Sequence, residues 1–298
     1  MKDTTLAPQS WDAFIGQDKL KERLQIKIDA ALDRYEPLGD ILFYSGPGLG
    51  KSSLAKLVAD NLGQPYTTMD MPVKAKALAK AFLETEGVLV LDEIHRLAKR
   101  DQENLLPVLW KRVVQMENGK QFPIPRKNHL TIIGATTEIN AIIKPLRDRF
   151  SWLARFEPYS DEHMAHVVRR MATMMDLSPT DTEVARLGRA SASTPRQARN
   201  LILTARDLGT CDPDAVLDVA GITPEGLTEE HVAYMLALSK LENRAGIDNL
   251  TNMLGLPKDL LFELEQLLIN KNYLILGAKG RELTVPGMQK VRELRENS

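Results

Sequence analysis

Three short apolar runs constrain this chain more than anything else in it: "DILFY" (40–44), "GVLVLD" (87–92) and "HLTIIGATT" (129–137). Each is nearly continuous rather than alternating, which is the pattern of a strand covered on both faces. Helical periodicity fills the gaps between them. "SSLAKLVADNL" (52–62), for example, sets Leu54, Leu57, Val58 and Leu62 on one face. Buried strands alternating with helices predict an α/β fold between residues 12 and 150, a parallel sheet covered by helices.

The first run leads directly into "YSGPGLGKSSLA" (44–55). A loop that leaves a buried strand and opens a helix can wrap phosphates with successive backbone N–H groups, aided by the positive end of the helix dipole. Gly46, Pro47, Gly48, Leu49 and Gly50 would form that loop. Lys51 would reach the β- and γ-phosphates, Ser52 would bind Mg2+ through its hydroxyl, and Ser53 follows on the helix. The pattern G-x-x-x-x-G-K-[ST] wants glycine where this chain has Ser45, a serine tolerable if its φ stays negative. The plain alternative is a glycine turn between strand and helix.

The second run ends in two carboxylates. Beside a metal-bound triphosphate, Asp92 can hold the metal shell while Glu93 polarises the attacking water; a solvated acidic turn is the alternative. The third run ends in Thr136 and Thr137, which could orient that water. "PLRDRF" then supplies Arg147 and Arg149, and "STPRQARN" places Arg196 in the first turn of a helix. Surface ion pairs are the ordinary fate of such arginines, yet guanidinium groups also stabilise charge on a transferring phosphoryl.

"VVQMENGKQFPIP" (113–125), with Asn118-Gly119 at its centre, reads as a β-hairpin, or else as a surface loop. Pro123 and Pro125 keep its second arm out of any central strand position. From residue 156 the strand signal stops, and "DEHMAHVVRRMATMM", "DTEVARLGRAS" and "TPRQARNLILTARDL" read as three helices. Thr194 is placed to cap the third, with Pro195 at its first position. "CDPDAVLDVAGITPEG" (211–226) reads as a boundary. Helical patterns follow at 228–240, 247–254 and 257–271, then "NYLIL" and "RELTV" around Gly277-Ala278-Lys279-Gly280. Three helices and a hairpin make a winged-helix layout. The expected division is 1–155, a small all-α lid at 156–226 and a winged helix at 227–298.

Composition limits the alternatives. Thirty-nine basic and forty acidic residues give a net charge of −1, so any nucleic-acid contact must be local. The single Cys211 excludes an intrachain disulfide. His163 and His166 share a helix spacing without other ligands nearby and read as a solvated face. No apolar run approaches the ~20 residues of a membrane span, and "MKDTTLAPQS" lacks the core of a signal peptide, so no membrane and a cytoplasmic location are expected.

In their order, "FIGQDKLKERL", "GPGLGKSSLA", "LDEIHRL", "GATT", "PLRDRF" and "STPRQARN" resemble the RuvB-type branch-migration motors of the AAA+ ATPases, from about Leu6 to Thr284. The resemblance implies ATP and Mg2+ as cofactors, with Lys51 and Ser52 as the Walker A pair and Asp92 and Glu93 as the Walker B pair. Ser52 and Asp92 would hold the metal, and Ile15 joins the nucleotide-contacting set. Thr137, twelve residues before Arg149, matches sensor 1. Arg149 matches the arginine finger that acts on a neighbouring subunit's ATP, with Arg147 the second candidate, and Arg196 matches sensor 2. A finger acting in trans implies a ring of copies of this chain, a hexamer. The winged helix would grip duplex or four-way-junction DNA through Lys279 and Arg281, and the hairpin 113–124 would dock a RuvA-like partner. The implied activity is ATP-driven translocation of duplex DNA for branch migration of Holliday junctions in recombination and repair.

The chain departs from that pattern at Ser45, at Ala7 in place of an arginine, in a shorter segment between Pro107 and Thr137, and in a wing region with seven Lys or Arg against six Asp or Glu from Pro257 onward. Two other readings stay open: a clamp-loader-like subunit, which the C-terminal hairpin disfavours, and an ATP-binding adaptor with little hydrolysis.

Overall fold

The computed structural model describes residues 6–116, 119–277 and 280–296, and the chain divides into two compact units, Met1–Tyr159 and Ser160–Ser298. The first unit opens with α1 (Asp18–Arg34), whose buried Leu20, Leu24, Ile28 and Ala31 recur at helical spacing. There follow β1 (Ile41–Tyr44), α2 (Lys51–Asn61), β2 (Tyr66–Asp70), α3 (Ala75–Glu84), β3 (Val88–Asp92), α4 (Lys99–Asn104), α5 (Leu106–Lys111), β4 (Val113–Gln115), β5 (Gln121–Pro123), β6 (Thr131–Thr136), α6 (Lys144–Arg147) and β7 (Trp152–Arg155).

Five strands form one parallel sheet in the order β2-β3-β6-β1-β7. The three apolar runs are its centre: Val88 to Leu91 and all of Thr131 to Thr136 are buried, as are Ile41, Leu42 and Phe43. Burial on both faces explains their unbroken apolar sequence. Leu42, Leu89, Leu91 and Ile132 share a core with residues of α3, α5 and α6, while α2 lies against β2, β3 and β6. The flanking strands β2 and β7 are half-exposed and less apolar, so their sequence carries no such signature. The expected α/β sheet is therefore present, with two edge strands added.

Register fixes where function can sit. Phe43 pairs with Ala135 and Tyr44 with Thr136, so the carboxyl ends of β1 and β6 lie side by side, and β3 ends beside them. Ligands in open α/β sheets bind at that end. The hairpin forms from β4 and β5, which pair only with each other, Val114 opposite Phe122. Glu117 and Asn118 lie outside the described residues; Gly119 has φ 78.

The second unit begins with α7 (Asp161–Met174), α8 (Asp181–Ala190) and α9 (Pro195–Leu208). Thr180 and Glu183 cap α8 reciprocally. Thr194 does not cap α9: its hydroxyl donates instead to the Ser191 carbonyl at 3.2 Å, because Ala192 and Ser193 both turn through positive φ and bring that carbonyl within reach. The stretch read as a boundary contains a fourth helix, α10 (Pro213–Ala220), started by the Asp212 carboxylate accepting from the Ala215 amide.

The rest of this unit contains α11 (Glu229–Lys240), β8 (Arg244–Ala245), α12 (Ile247–Leu254), α13 (Lys258–Asn270), β9 (Leu274–Gly277), β10 (Gly280–Leu283) and α14 (Val285–Glu296). The strands form an antiparallel sheet ordered β8-β10-β9 over a core that includes Tyr234, Leu238, Leu250, Leu261 and Leu268. This is the three-helix and wing layout expected from the sequence, with a small third strand and a final helix.

Candidate functional site

The glycine loop runs from the end of β1 into the first turn of α2. Gly48 and Gly50 have φ of 77 and 96, values at which a side chain is strained, and a Cβ on Gly50 would stand 3.1 Å from the Phe14 ring. Ser45 keeps out of the left-handed region, so the missing glycine distorts nothing, and its amide donates to the Thr136 carbonyl. Ile15 is half-buried beside Phe14, in the turn ahead of α1. Pro47 is half-buried and Leu49 buried, while a Cβ on Gly46 would meet nothing within 4 Å.

Lys51 is only 7% exposed, and its ammonium donates to the Gly46 carbonyl at 3.0 Å, the Ser45 hydroxyl at 3.1 Å and the Ser45 carbonyl at 3.3 Å. Ser52, one residue on, donates to the Asp92 carboxylate at 3.0 Å, and Ser53 is half-buried beside it. Residues forty positions apart are thus joined across the end of β6, which lies between β1 and β3. An open concavity of glycine backbone, a buried cation and a hydroxyl–carboxylate pair of hard oxygens suit a nucleotide phosphate with a bound Mg2+.

Glu93 sits beside Asp92 with φ 48, a left-handed conformation that costs a non-glycine residue of order 1–3 kcal/mol and is concentrated at functional sites. Its carboxylate accepts from the Thr137 amide at 3.1 Å and the Thr137 hydroxyl at 3.0 Å. His95 Nδ1 lies 3.1 Å from the same Glu93 oxygen and 3.0 Å from the Thr136 hydroxyl; its Nε2 faces Glu138 at 3.7 Å. Sequence reasoning missed His95. Its only signal was its place two residues after Glu93 in "LDEIHRL", since the partners Thr136 and Glu138 come from another strand.

The two arginines of "PLRDRF" differ. Arg147 is half-buried, with an Nε that is buried and has no hydrogen-bond partner; Arg149 is exposed, and its guanidinium lies 4.4 Å from the centre of the Trp110 ring. Arg196 is exposed in the first turn of α9, in the second unit. Arg281 is turned inwards: its Nε is 2.8 Å from the carboxylate of Glu265, which is itself 1% exposed and also accepts from the Tyr234 hydroxyl. That carboxylate holds Arg281 firmly in its charged form, and burial beside it pushes the Tyr234 phenol well up. Lys279 lies outside the described residues.

The fold that carries this site is shared with known proteins. Residues 6–156 match the model of the Holliday junction DNA helicase RuvB P-loop domain, and residues 224–292 that of the RuvB C-terminal winged helix domain. A Holliday junction branch migration complex subunit RuvB from Mycoplasmopsis pulmonis is 30% identical, over 96% of this chain and 98% of its own. The structure of the Thermotoga maritima RuvB Holliday junction branch migration motor superposes with a TM-score of 0.86 at 28% identity, over 96% of this chain and 98% of that one; a mutant of that protein gives 0.87 with the same identity and coverage. With its P-loop domain and its winged helix both matched by the family's models and a relative 30% identical along nearly the whole chain, the chain belongs to the RuvB family of ATP-binding P-loop ATPases.

Proposed function

We propose that this chain is an ATP-driven motor that translocates duplex DNA to migrate the branch point of Holliday junctions. The observation that carries the reading is the convergence at one sheet end of Lys51, the Ser52–Asp92 pair and a Glu93 carboxylate already oriented by Thr137. Such a set binds a triphosphate and activates water, which is more than an adaptor needs.

In this reading Ser52 and Asp92 hold Mg2+, which when bound neutralises charge on the phosphate oxygens. The amides of Gly48, Leu49 and Gly50, with Lys51, bind phosphate, and Ile15 belongs to the wall of the nucleotide site. Glu93 takes a proton from water at its carboxylate, and Thr137 sets the direction of that carboxylate. Arg149 reaches the nucleotide of the next subunit in a ring, a hexamer; its exposure suits that role better than the half-buried Arg147. Arg196 serves as sensor 2. We keep the three-part division 1–155, 156–226 and 227–298. The hairpin 113–124 takes a RuvA-like partner, and the wing takes DNA, with Lys279 as its phosphate contact. Arg281 braces the wing strand through Glu265. The work is placed in the cytoplasm. No helix among the described residues is long and apolar enough to cross a membrane.

The test is ATP turnover by the full chain with and without four-way-junction DNA. Turnover stimulated by the junction, with branch migration of a labelled junction, is the expected result. Turnover indifferent to the junction, without migration, would sink the motor reading, and no turnover with any DNA would leave an adaptor.

A further inference from the structure

We propose that Trp110 is a positioning residue for Arg149, holding the guanidinium at the surface in the orientation that a neighbouring subunit's nucleotide requires. The assignment rests on the reading of Arg149 as a residue that acts in trans.

Trp110 is near the end of α5 and 64% exposed, a large apolar side chain in a place where burial does not explain it. The Arg149 guanidinium carbon is 4.4 Å from the ring centre, inside the range in which the negative face of an indole attracts a cation. Among the described residues Arg149 makes no ion pair, so this ring is what orders an otherwise long and free side chain. The Lys111 ammonium lies 5.3 Å from the same ring. Two cations gathered at one indole, with no carboxylate partner among the described residues, leave positive charge facing outward, a surface complementary to an anion brought by another molecule.

The backbone beneath this pair is pinned from both sides by one residue. Asp40, 5% exposed, precedes β1. Its carboxylate takes an ion pair from Arg112, two residues after Trp110, at 3.1 Å, and a hydrogen bond from the Ile132 amide at 2.9 Å. Its carbonyl accepts from the amide and the hydroxyl of Ser151, two residues after Arg149, at 2.8 and 2.6 Å. Burial pushes the Asp40 carboxyl up, and the Arg112 guanidinium pulls it back towards the charged form. The segment that carries the ring and the segment that carries the guanidinium therefore share an anchor, which fixes their spacing. A stacked guanidinium on a fixed base loses less freedom on meeting its target than a free one does.

The experiment uses the full chain assembled with four-way-junction DNA. Trp110→Ala should lower kcat roughly threefold to thirtyfold with KM for ATP unchanged, Trp110→Phe should recover most of the loss, and Trp110→Ala should add nothing in an Arg149→Ala background. A second readout is independent of turnover. With Trp11 and Trp152 changed to Phe, emission from Trp110 should shift when Arg149 is changed to Ala. Normal kcat in Trp110→Ala beside an inactive Arg149→Ala, or an equal loss in both backgrounds, would overturn this assignment alone. Full turnover by Arg149→Ala would overturn the trans reading and this assignment with it. Because Trp110 is mostly exposed, the variants are expected to unfold at the wild-type temperature; a Trp110→Phe variant that folds normally yet is as slow as Trp110→Ala would also count against the proposal.

Discussion

Glu93 receives an amide and a hydroxyl from Thr137 and an imidazole from His95, and the strain of its left-handed backbone is offset by those three contacts. The carboxylate is thus set in place by the protein's own groups. Glu93→Gln should keep ATP binding, measured as the Kd of a fluorescent ATP analogue, while kcat falls by about 10²- to 10⁴-fold, the usual contribution of a positioned base. His95→Ala removes one of the three contacts and leaves the base chemically intact. A smaller loss in kcat, on the order of tenfold, at unchanged Kd is the expected outcome; an unchanged kcat would show that Thr137 alone orients Glu93. Asp92, Glu93 and Ser52 were legible in the sequence because each sits at the end or start of an element with strong periodicity. His95, Trp110 and Asp40 were not, because their partners lie 41, 39 and 72 positions away in sequence and meet them only through strand order.

At the scale of elements, the start of α11 carries a buried titratable group, His231. Its Nδ1 accepts from the Thr228 amide at 3.2 Å, so that nitrogen carries no proton and the helix start is capped by a neutral imidazole. Burial lowers its pKa to about 4, with Lys271 pushing the same way and Glu230 opposing. A histidine that resists protonation in the native state binds protons more readily once unfolded. Its contribution is complete above about pH 6.5 and is lost progressively down to about pH 4, by up to about 3 kcal/mol. Urea unfolding of the full chain at pH 7.0 and 4.5 should show that loss, and His231→Gln, which does not titrate here, should show a flatter profile. Parallel profiles would remove His231 from the account.

Two helices escaped the sequence reading for different physical reasons. The start of α10 was spelled out by Asp212-Pro213, but Asp, Pro and Gly also spell a loop, and eight residues show little periodicity. The start of α14 holds Pro286 and Gly287, and the sequence reading stopped short of it at "RELTV". Gly287 is there because a Cβ would stand 2.2 Å from the carbonyl of Tyr273, the residue just before β9, a close approach that no sequence pattern announces. The central strands and the amphipathic helices, by contrast, were plain from their apolar spacing alone.

For the whole molecule, a finger that works in trans makes one subunit's defect curable by its neighbour. Arg149→Ala retains its own Glu93, and Glu93→Gln retains its own Arg149, so each lacks what the other supplies. Mixed in equal amounts with junction DNA, the two inactive variants should give ATP turnover well above the sum of the separate rates, as sites with an intact Glu93 meet an intact finger. A mixture no faster than its parts would put Arg149 to work within its own subunit. Charge at this scale is nearly balanced, so in the proposed motor the grip on DNA rests on a few local cations and should weaken with added salt by a slope no larger than their number.

The ammonium of Lys51 has three oxygens of its own loop to return to when no phosphate is present. Those oxygens compete with every departing nucleotide. In the proposed function these oxygens take up the cation when a nucleotide leaves, so vacating the site costs less than baring a buried charge. In the proposed motor, the serine that departs from the loop pattern is one of the groups that contends with phosphate for this lysine.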